Sequence, residues 1–215
     1  MTSLDEIKND NRRFELQLKK PHGNDGKIIA KFLSEHNKPQ TEWSVSELDL
    51  NSNDQVLEIG FGSGDGIRLI SSKIISGKVY GIDFSDVMFD VAKELNKSGI
   101  KTGNVILIHD DIDNYDFGNL TFNKIMGVNV LYFWDNPTIT INKLYRLLKP
   151  GGKIVLFIYH KKDQKDRERE GIFYNYSGEE VVELLKNAGF NYARFEEKSF
   201  DSNNRLGVLG IGEKK

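Results

Sequence analysis

The chain has 215 residues, with 30 Lys and Arg against 32 Asp and Glu, and no cysteine. This near-neutral balance gives no overall attraction to nucleic acid or anionic membranes, and the lack of thiols excludes disulfides, thiolate metal sites and a cysteine nucleophile. No apolar run approaches the roughly 20 residues of a membrane-spanning helix. The histidines form no i,i+4 pair and the N-terminus is polar with acids, so we expect no metal site and a cytoplasmic protein without a signal peptide.

The first 50 residues are expected to form a helical cover over a domain spanning residues 51–215. Residues 1–20 alternate in charge without a clear apolar face, which is compatible with a loose helix or a disordered arm. After the turn at Pro21–Gly26, apolar residues at helical spacing predict one helix and then a second, shorter one. The two helices either only pack on the core or also close one wall of a ligand pocket, with Trp43 near it.

From residue 55 onward, strand patterns and helix patterns alternate along the chain. This order predicts an α/β fold: a doubly wound, Rossmann-like, seven-stranded, mostly parallel sheet with an antiparallel C-terminal hairpin. The expected strands are 55–60, 78–83, 104–109, 124–130, 153–159, 190–199 and 205–213, and the expected helices are 64–75, 85–97, 137–148 and 178–188.

Ligands of such sheets bind outside the carboxyl ends of the strands, near the point where strand order reverses. The residues at those ends are therefore the candidates for a site. They are Glu58–Gly64, Asp83, Asp110, Asp111, Asn129–Tyr132, Tyr159 and His160.

The stretch Val56–Gly66 (VLEIGFGSGDG) places an acid, Glu58, before glycines at four alternate positions. A buried strand, a glycine turn and a helix N-terminus in succession form a site for a polar small molecule. The dinucleotide fingerprint G-x-G-x-x-G/A fails in both registers, because its sixth position is Asp65 or Ile67. Ile67 also stands where an ATP-binding loop requires lysine. Neither NAD nor ATP fits this turn.

Further motifs follow in order: GIDFS ending a strand at Asp83, HDDI with Asp111, VNVLYFW, LKPGGKIVLF and SGEEVVELLKNAGF. With these motifs the chain resembles class I S-adenosylmethionine-dependent methyltransferases over residues 40–213. It resembles most the small-molecule branch and the methyltransferase type 11 family. The segment that begins with PHGNDGKIIAKF is similar to a subgroup of uncharacterised bacterial members.

The resemblance implies S-adenosyl-L-methionine as cofactor and a role for each motif residue. Asp83 would accept hydrogen bonds from the ribose diol, and Phe84 would lie on the adenine face. Asp111 would accept from the adenine amino group while the Ile112 N–H meets a ring nitrogen. Glu58 would organise the turn or receive the ligand ammonium through water. The remaining implied cofactor-binding residues are Gly60, Phe61, Gly62, Gly64 and Asn129.

Structural alternatives exist for several of these residues. Asp83 could cap the following helix, although Ser85 is the better candidate for that cap. Phe84 could belong to the core, and Asp110 rivals Asp111 as the adenine-binding acid. Glu58 could be purely structural, yet an acid within an apolar strand needs a partner.

Methyl transfer requires a nucleophile aligned for in-line displacement at an activated methyl group, and positioning can supply roughly 7–11 kcal/mol of the barrier. A general base is needed only where the nucleophile is protonated. The candidates for that base or a substrate contact are His160, Tyr132 and Asn129, while His109 ends an apolar strand and is expected to be a core or rim residue.

We expect a small-molecule or lipid-like acceptor, no nucleic-acid partner, and a monomer or homodimer. Asn129–Tyr132 (NVLY) lacks the prolines of the motif typical of DNA amino-group methylation. The mixed-charge segment Lys161–Glu170 stands where substrate lids vary, and Phe173, Tyr174 and Tyr176 could line an apolar pocket. Two other hypotheses remain open: a methyltransferase that modifies RNA or protein, and a module that binds S-adenosylmethionine without catalysis.

Overall fold

The computed structural model describes residues 2–163, 172–200 and 205–215. Its strands are β1 (Gln55–Ile59), β2 (Lys78–Asp83), β3 (Val105–His109), β4 (Phe122–Val128), β5 (Leu148–Tyr159), β6 (Tyr192–Ser199) and β7 (Leu206–Glu213). They form one sheet in the order β3-β2-β1-β4-β5-β7-β6. The first five strands pair in parallel, and β7 runs antiparallel to both β5 and β6. The predicted fold class is confirmed.

Helices cover the sheet and precede it. They are α1 (Leu4–Asn9), α2 (Asn11–Lys19), α3 (Gly23–His36), α4 (Lys38–Ser46), α5 (Asp65–Ser71), α6 (Asp86–Leu95), α7 (Lys97–Thr102), α8 (Pro137–Leu147) and α9 (Gly178–Asn187). The sequence patterns did not predict α7, a single short turn of helix that follows α6 directly. Across the described ranges, none of these helices is both long and apolar enough to span a membrane.

The sequence left residues 1–20 open between a helix and a disordered arm, and the structure has two short helices there. Ser3 and Glu6 form a capping box that starts α1, and the Asp10 side chain caps α2. Ile7 is fully buried. The helix caps and the buried Ile7 side chain therefore order residues 1–20, although the many charged residues leave no clear apolar pattern in the sequence.

Strand order reverses between β1 and β4, because β2 and β3 lie on one side of β1 and β4 and β5 lie on the other. Alternate residues of β1 are buried on opposite faces of the sheet: Leu57 and Ile59 in one apolar cluster, and Val56 in the other. Helices on both faces hold this strand in place, so the glycine turn after Ile59 emerges at the switch point of the sheet.

Helix α3 is joined to the start of α6 by close packing. A Cβ on Gly26 would lie 2.8 Å from the Pro21 carbonyl carbon and 3.3 Å from Val87 Cγ2. The Ser85 hydroxyl also donates to the Pro21 carbonyl oxygen at 2.5 Å. Residues 21–26 therefore fix where the helical cover meets the sheet domain.

We predict that Gly26→Val lowers the free energy of unfolding by about 1–3 kcal/mol, because the added side chain overfills this contact. Urea denaturation measures the change. Lys27→Val, one residue along the same helix at an exposed position, is the matched control, because it adds the same side chain where no contact is overfilled. Valine is a weaker helix former than lysine but a better one than glycine, so helix propensity alone would make the control the less stable variant. Equal losses in the two variants would contradict the packing role of Gly26.

Candidate functional site

A cavity of about 400 Å³ opens at the carboxyl ends of β1, β2 and β4. Its volume lies within the range of small-molecule sites, and its position at the switch point is the one expected for a doubly wound sheet. The helices α1–α4 form its opposite wall. Of the sequence-predicted residues, Glu58, Gly60, Phe61, Gly62, Asp83, Phe84, Asp111, Ile112, Asn129 and Tyr132 line it.

The glycine turn places its backbone against this cavity. Gly60 and Gly62 have φ values of 61° and 53°, a region that favours glycine. A side chain on Gly60 would overlap Val130, whereas a Cβ on Gly62 would meet nothing within 4 Å. The space beside Gly62 is therefore open to a ligand.

Gly64 has a different reason to be glycine. It precedes α5 with a φ of 82°, and a Cβ there would lie 2.6 Å from Asn96 Nδ2 and 2.7 Å from Ala92 Cβ. Its carbonyl oxygen accepts from the same Asn96 amide at 3.0 Å. Gly64 is not among the lining residues, and the structure gives it a packing contact with α6, so its role in cofactor binding stays a prediction.

Asp83 joins the glycine turn to the end of β2. Its carboxylate accepts from the Gly62 N–H and from the Ser85 N–H, both at 2.9 Å. Burial raises the pKa of Asp83, and these two hydrogen bonds act in the opposite direction. Ser85, as expected, caps α6 through its own hydroxyl, which accepts from the Met88 N–H.

Glu58 is a buried carboxyl group without a full set of partners. It is 4% exposed, and its Oε2 atom has no hydrogen-bond partner. Burial raises the pKa of Glu58 well above its usual value, and the charges of Asp83 and Asp65 add to this effect. Because a buried carboxylate without a partner is costly, this position is suited to a cationic group of a ligand.

Asp65 also lines the cavity, although in the sequence it served only to exclude the dinucleotide fingerprint. Its Oδ2 accepts from the Ser34 hydroxyl at 2.5 Å and from the Ser63 hydroxyl at 2.8 Å. The first of these bonds ties the helical cover to the start of α5. A contact between residues 31 positions apart has no signal in the local sequence pattern.

The residues after β2 and β3 form the other end of the cavity. Phe84 is half-buried, with Lys20 Nζ 5.1 Å from its ring centroid. Asp110 and Asp111 both line the cavity beside buried Ile112. Both acids accept from nearby backbone: Asp110 from the Asp111 N–H at 2.7 Å, and Asp111 Oδ1 from the next-but-one N–H at 2.9 Å. The geometry keeps both carboxylates as candidates.

A hydrogen-bonded chain runs from the helical cover to β5 through the end of β4. Asn129, with a φ of 58°, donates from Nδ2 to Asn37 Oδ1 at 3.1 Å. Its Oδ1 accepts from the Tyr132 hydroxyl at 2.9 Å, which itself accepts from the Tyr159 N–H. Tyr132 and Asn129 therefore position the wall of the cavity, and this geometry does not favour either as a base.

Two residues expected near the ligand, His160 and Trp43, are not among the residues that line the cavity. His160 is not among the lining residues, and its Nδ1 accepts from the Lys162 N–H at 3.1 Å. Trp43 packs against Phe157 and Phe200, with centroids 6.2 and 5.4 Å apart, and it does not line the cavity.

Of the aromatic residues expected to line a pocket, only Phe173 does so, and Tyr174 and Tyr176 do not. Residues 164–170 of the expected lid lie outside the described residues, as do residues 201–204 between the two hairpin strands. His109, expected as a core or rim residue, ends β3 with an exposed side chain, and its Nε2 lies 3.1 Å from Asp86 Oδ1.

The lining residues that sequence reasoning missed come chiefly from the N-terminal helices. They include Phe14, Leu18, Phe32, His36, Asn37 and Thr41. The pairs 14 and 18, and 32 and 36, each have the i,i+4 spacing of a single helix face. That spacing predicts an inward face, but it does not say whether the face meets core or ligand.

Comparisons with known proteins agree with this arrangement. A family model described as "Methyltransferase domain" matches residues 56–152. The uncharacterized methyltransferase YdaC of Bacillus subtilis (strain 168) is 26% identical over 163 residues, or 76% of this chain and 86% of that protein. A demethylmenaquinone methyltransferase of Geobacillus sp. (strain WCH70) is 32% identical over 116 residues, or 53% of this chain and 49% of that protein.

Solved structures share the fold at low sequence identity. One is the methyltransferase in a complex with the Haloferax volcanii Trm112 methyltransferase activator, with a TM-score of 0.75, 18% identity, and coverage of 87% of this chain and 93% of that chain. Another is Haemonchus contortus phosphoethanolamine N-methyltransferase 2 with S-adenosyl-L-methionine, with a TM-score of 0.68, 19% identity, and coverage of 82% and 52%. From its motifs, its sheet order and these comparisons, residues 56–152 form a methyltransferase domain, and the chain is similar to class I S-adenosylmethionine-dependent methyltransferases of the type 11-like kind.

Proposed function

We propose that the protein binds S-adenosylmethionine over the glycine turn and methylates a small-molecule acceptor in the adjoining part of the same cavity. The observation that carries this proposal is the buried Glu58 carboxyl, whose Oε2 has no partner, next to the open space at Gly62. An amino-acid tail with an ammonium group satisfies both features, because it brings a cation to the acid and needs close approach to backbone.

The other proposed contacts follow the cavity from this tail to its far end. Asp83 still has acceptor capacity after its two backbone bonds, and it would accept from the ribose hydroxyls. Asp111 or Asp110 would accept from the adenine amino group, with the Ile112 N–H and the Phe84 ring beside the base. Gly60, Phe61 and Gly62 would contact the methionine portion.

The bound S-adenosylmethionine would supply a methyl group that is already activated on sulfur. The chain's own residues would then orient the acceptor and exclude water, and such positioning can account for roughly 7–11 kcal/mol of the barrier. The histidine that lines the cavity is His36 and not His160. We therefore do not include His160 among the residues proposed to contact the acceptor. Residues 1–50 would act as the cover that completes the site.

The charge at the cavity mouth favours a small acceptor over RNA. Asp110, Asp113 and Asp135 are exposed carboxylates among the lining residues, and they would repel a polyanion. Relatives named for demethylmenaquinone and phosphoethanolamine support small-molecule acceptors as a class. A non-catalytic binding module would bind the cofactor equally well, so turnover has to be measured separately.

Calorimetry with S-adenosylmethionine tests cofactor binding, and release of S-adenosylhomocysteine during an acceptor screen tests turnover. We expect saturable binding at one site and acceptor-dependent release. A lack of binding at millimolar ligand would overturn the proposal, and binding without turnover on any acceptor class would favour the non-catalytic module.

We predict that Asp83→Ala weakens S-adenosylmethionine binding about 10- to 100-fold, because it removes charge-assisted hydrogen bonds. Titration calorimetry gives the dissociation constants. Asp86→Ala, three residues along the chain, removes a carboxylate whose side chain is 83% exposed and is the matched control. Unchanged affinity in the Asp83 variant would refute its ribose contact.

We predict that Glu58→Gln changes how stability depends on pH. The pKa of Glu58 is raised well above 4.5 in the folded protein, so the unfolded chain releases this proton first as pH rises. The free energy of unfolding of the native protein therefore falls from about pH 4.5 until the folded pKa is passed, and the glutamine variant lacks this loss.

Thermal denaturation from pH 4 to 8 should show Glu58→Gln gaining stability over the native protein as pH rises. Saturating S-adenosylmethionine should reduce that gain, since its ammonium offsets the buried charge only in the native protein. A difference that stays constant with pH would show that Glu58 does not titrate as proposed.

A further inference from the structure

The sheet ends at β6, and the outer edge of that strand is open. β6 is the last strand in the sheet order, and among the described residues it pairs with β7 on its inner side alone. Most of its side chains are exposed, including Tyr192 at 63%. An open strand edge is a template for pairing with a strand of another chain.

The backbone groups of alternate β6 residues point out from this edge. Phe200, just after β6, lies opposite Arg205 and donates from its N–H to the Arg205 carbonyl oxygen at 3.1 Å. The even-numbered residues of β6 therefore face β7, because hydrogen-bonded pairs alternate in an antiparallel ladder. The N–H and C=O groups of Ala193, Phe195 and Glu197 face outward. A partner strand has to place its own outward-facing residues opposite these three.

The charges along β6 alternate in sign. Arg194, Glu196 and Lys198 stand at alternate positions and share one face of the strand. Arg194 pairs with Glu196 on the same strand and with Glu47, just after α4, at 3.6 Å. A partner strand of uniform charge would meet repulsion as well as attraction on this face. A second copy of the chain has the same alternation, so its charges can complement those of the first.

One register of two antiparallel β6 strands brings opposite charges together. With Phe195 on the two-fold axis, Arg194 of each copy lies opposite Glu196 of the other. In the same register Tyr192 meets Lys198 and the outward-facing Ala193 meets the outward-facing Glu197. Backbone groups that face outward in both copies are thereby paired, and no like charges are opposed.

The other register with equal overlap opposes like charges. A shift by one residue in each copy puts Glu196 on the axis, so that two Glu196 carboxylates face each other and Arg194 faces Lys198. Like charges directly opposite each other destabilise a strand pair. The charges that usually keep an edge strand from pairing at random thus select the register centred on Phe195.

The helix beside this edge fits the same arrangement. α9 packs on both β6 and β7, and a groove at the edge is lined by Val182, Ala193 and Phe195 together with Glu183 and Lys186 of both signs. Neighbouring strands lie about 5 Å apart, so a sheet continued through β6 would place the α9 helices of two copies roughly 10 Å apart. Packed helices are typically about 8–10 Å apart.

We propose that two copies of the chain associate by antiparallel pairing of their β6 strands, with Phe195 on the two-fold axis and Arg194 of each copy opposite Glu196 of the other. The two seven-stranded sheets would then form one continuous sheet. This interface goes beyond the proposed function and does not depend on it, because the cavity lies at the carboxyl ends of β1, β2 and β4.

Sedimentation equilibrium over a concentration series up to the millimolar range tests the interface. We expect the native protein to form a dimer. Arg194→Glu and Glu196→Arg should each weaken self-association at least about 10-fold, because each variant opposes like charges at two symmetric positions. Arg146→Glu, the same charge reversal at an exposed position of α8, is the matched control and should leave the dimer unchanged.

An equimolar mixture of the Arg194→Glu and Glu196→Arg proteins tests the register. We expect the mixture to form a heterodimer about as tightly as the native protein forms its homodimer, because opposite charges again face each other at both positions. This recovery would also show that both variants fold. Loss of the dimer in each variant without recovery in the mixture would overturn the register centred on Phe195.

Glu197→Pro tests the backbone pairing separately. Proline removes the outward N–H of this residue and leaves the bonds to β7 intact, as is usual for proline on an edge strand. We expect self-association to weaken about 10-fold, whereas Glu197→Ala, which keeps the N–H, should retain the dimer.

Two results would overturn the proposed interface itself. A native protein that stays monomeric throughout the concentration series would exclude the second copy and leave the edge to a strand of another protein. A dimer that is unaffected by both charge reversals and by Glu197→Pro would exclude β6 as the contact. Neither result would bear on S-adenosylmethionine binding, which calorimetry measures independently.

Discussion

The hydrogen bonds of Asp83 are the interaction on which the site depends. One carboxylate holds the Gly62 N–H of the turn after β1 and the Ser85 N–H at the start of α6. It thereby fixes two strand ends and one helix relative to each other at the switch point. The neighbouring Glu58 is equally buried but lacks a partner for one oxygen. The first acid builds the turn, and the second has an unpaired oxygen that the proposed function assigns to the ammonium group of the ligand.

Polar contacts tie the helical cover to this centre, in addition to the packing of α3 on α6. The Ser85 hydroxyl donates to the Pro21 carbonyl, and the Ser34 hydroxyl donates to Asp65. The Asn129 amide donates to the side chain of Asn37, the residue that follows α3. These contacts set the distance between the glycine turn and the helices on the opposite wall of the cavity. The matched methyltransferase domain, residues 56–152, contains Glu58, Asp83 and Asp111, which the proposed function assigns to the cofactor, whereas helices α1–α4 lie outside it. The comparisons therefore indicate the methyl donor far more sharply than the acceptor.

The strands and most helices were predictable because apolar periodicity along the chain reflects burial against the sheet. Exceptions have local causes. α1 and α2 are ordered by caps and by buried Ile7 although their composition is polar. Near the site, Gly64 belongs to the glycine motif but lies in close contact with Ala92. Trp43 has the character of a pocket residue but packs on Phe157 and Phe200.

By itself, the sequence determined the fold class, the glycine turn and the acids at the ends of β1, β2 and β3, because each depends on short-range patterns within one strand–turn–helix unit. Only the tertiary structure decided which side chains share the cavity. His36 and Arg205 are 169 positions apart, and Phe14 lies far from Phe173 in the chain, so no local pattern couples them. They meet because α1–α3 fold back over the edge of the sheet where β5 ends and β7 begins, and this long-range contact brings their side chains into one cavity.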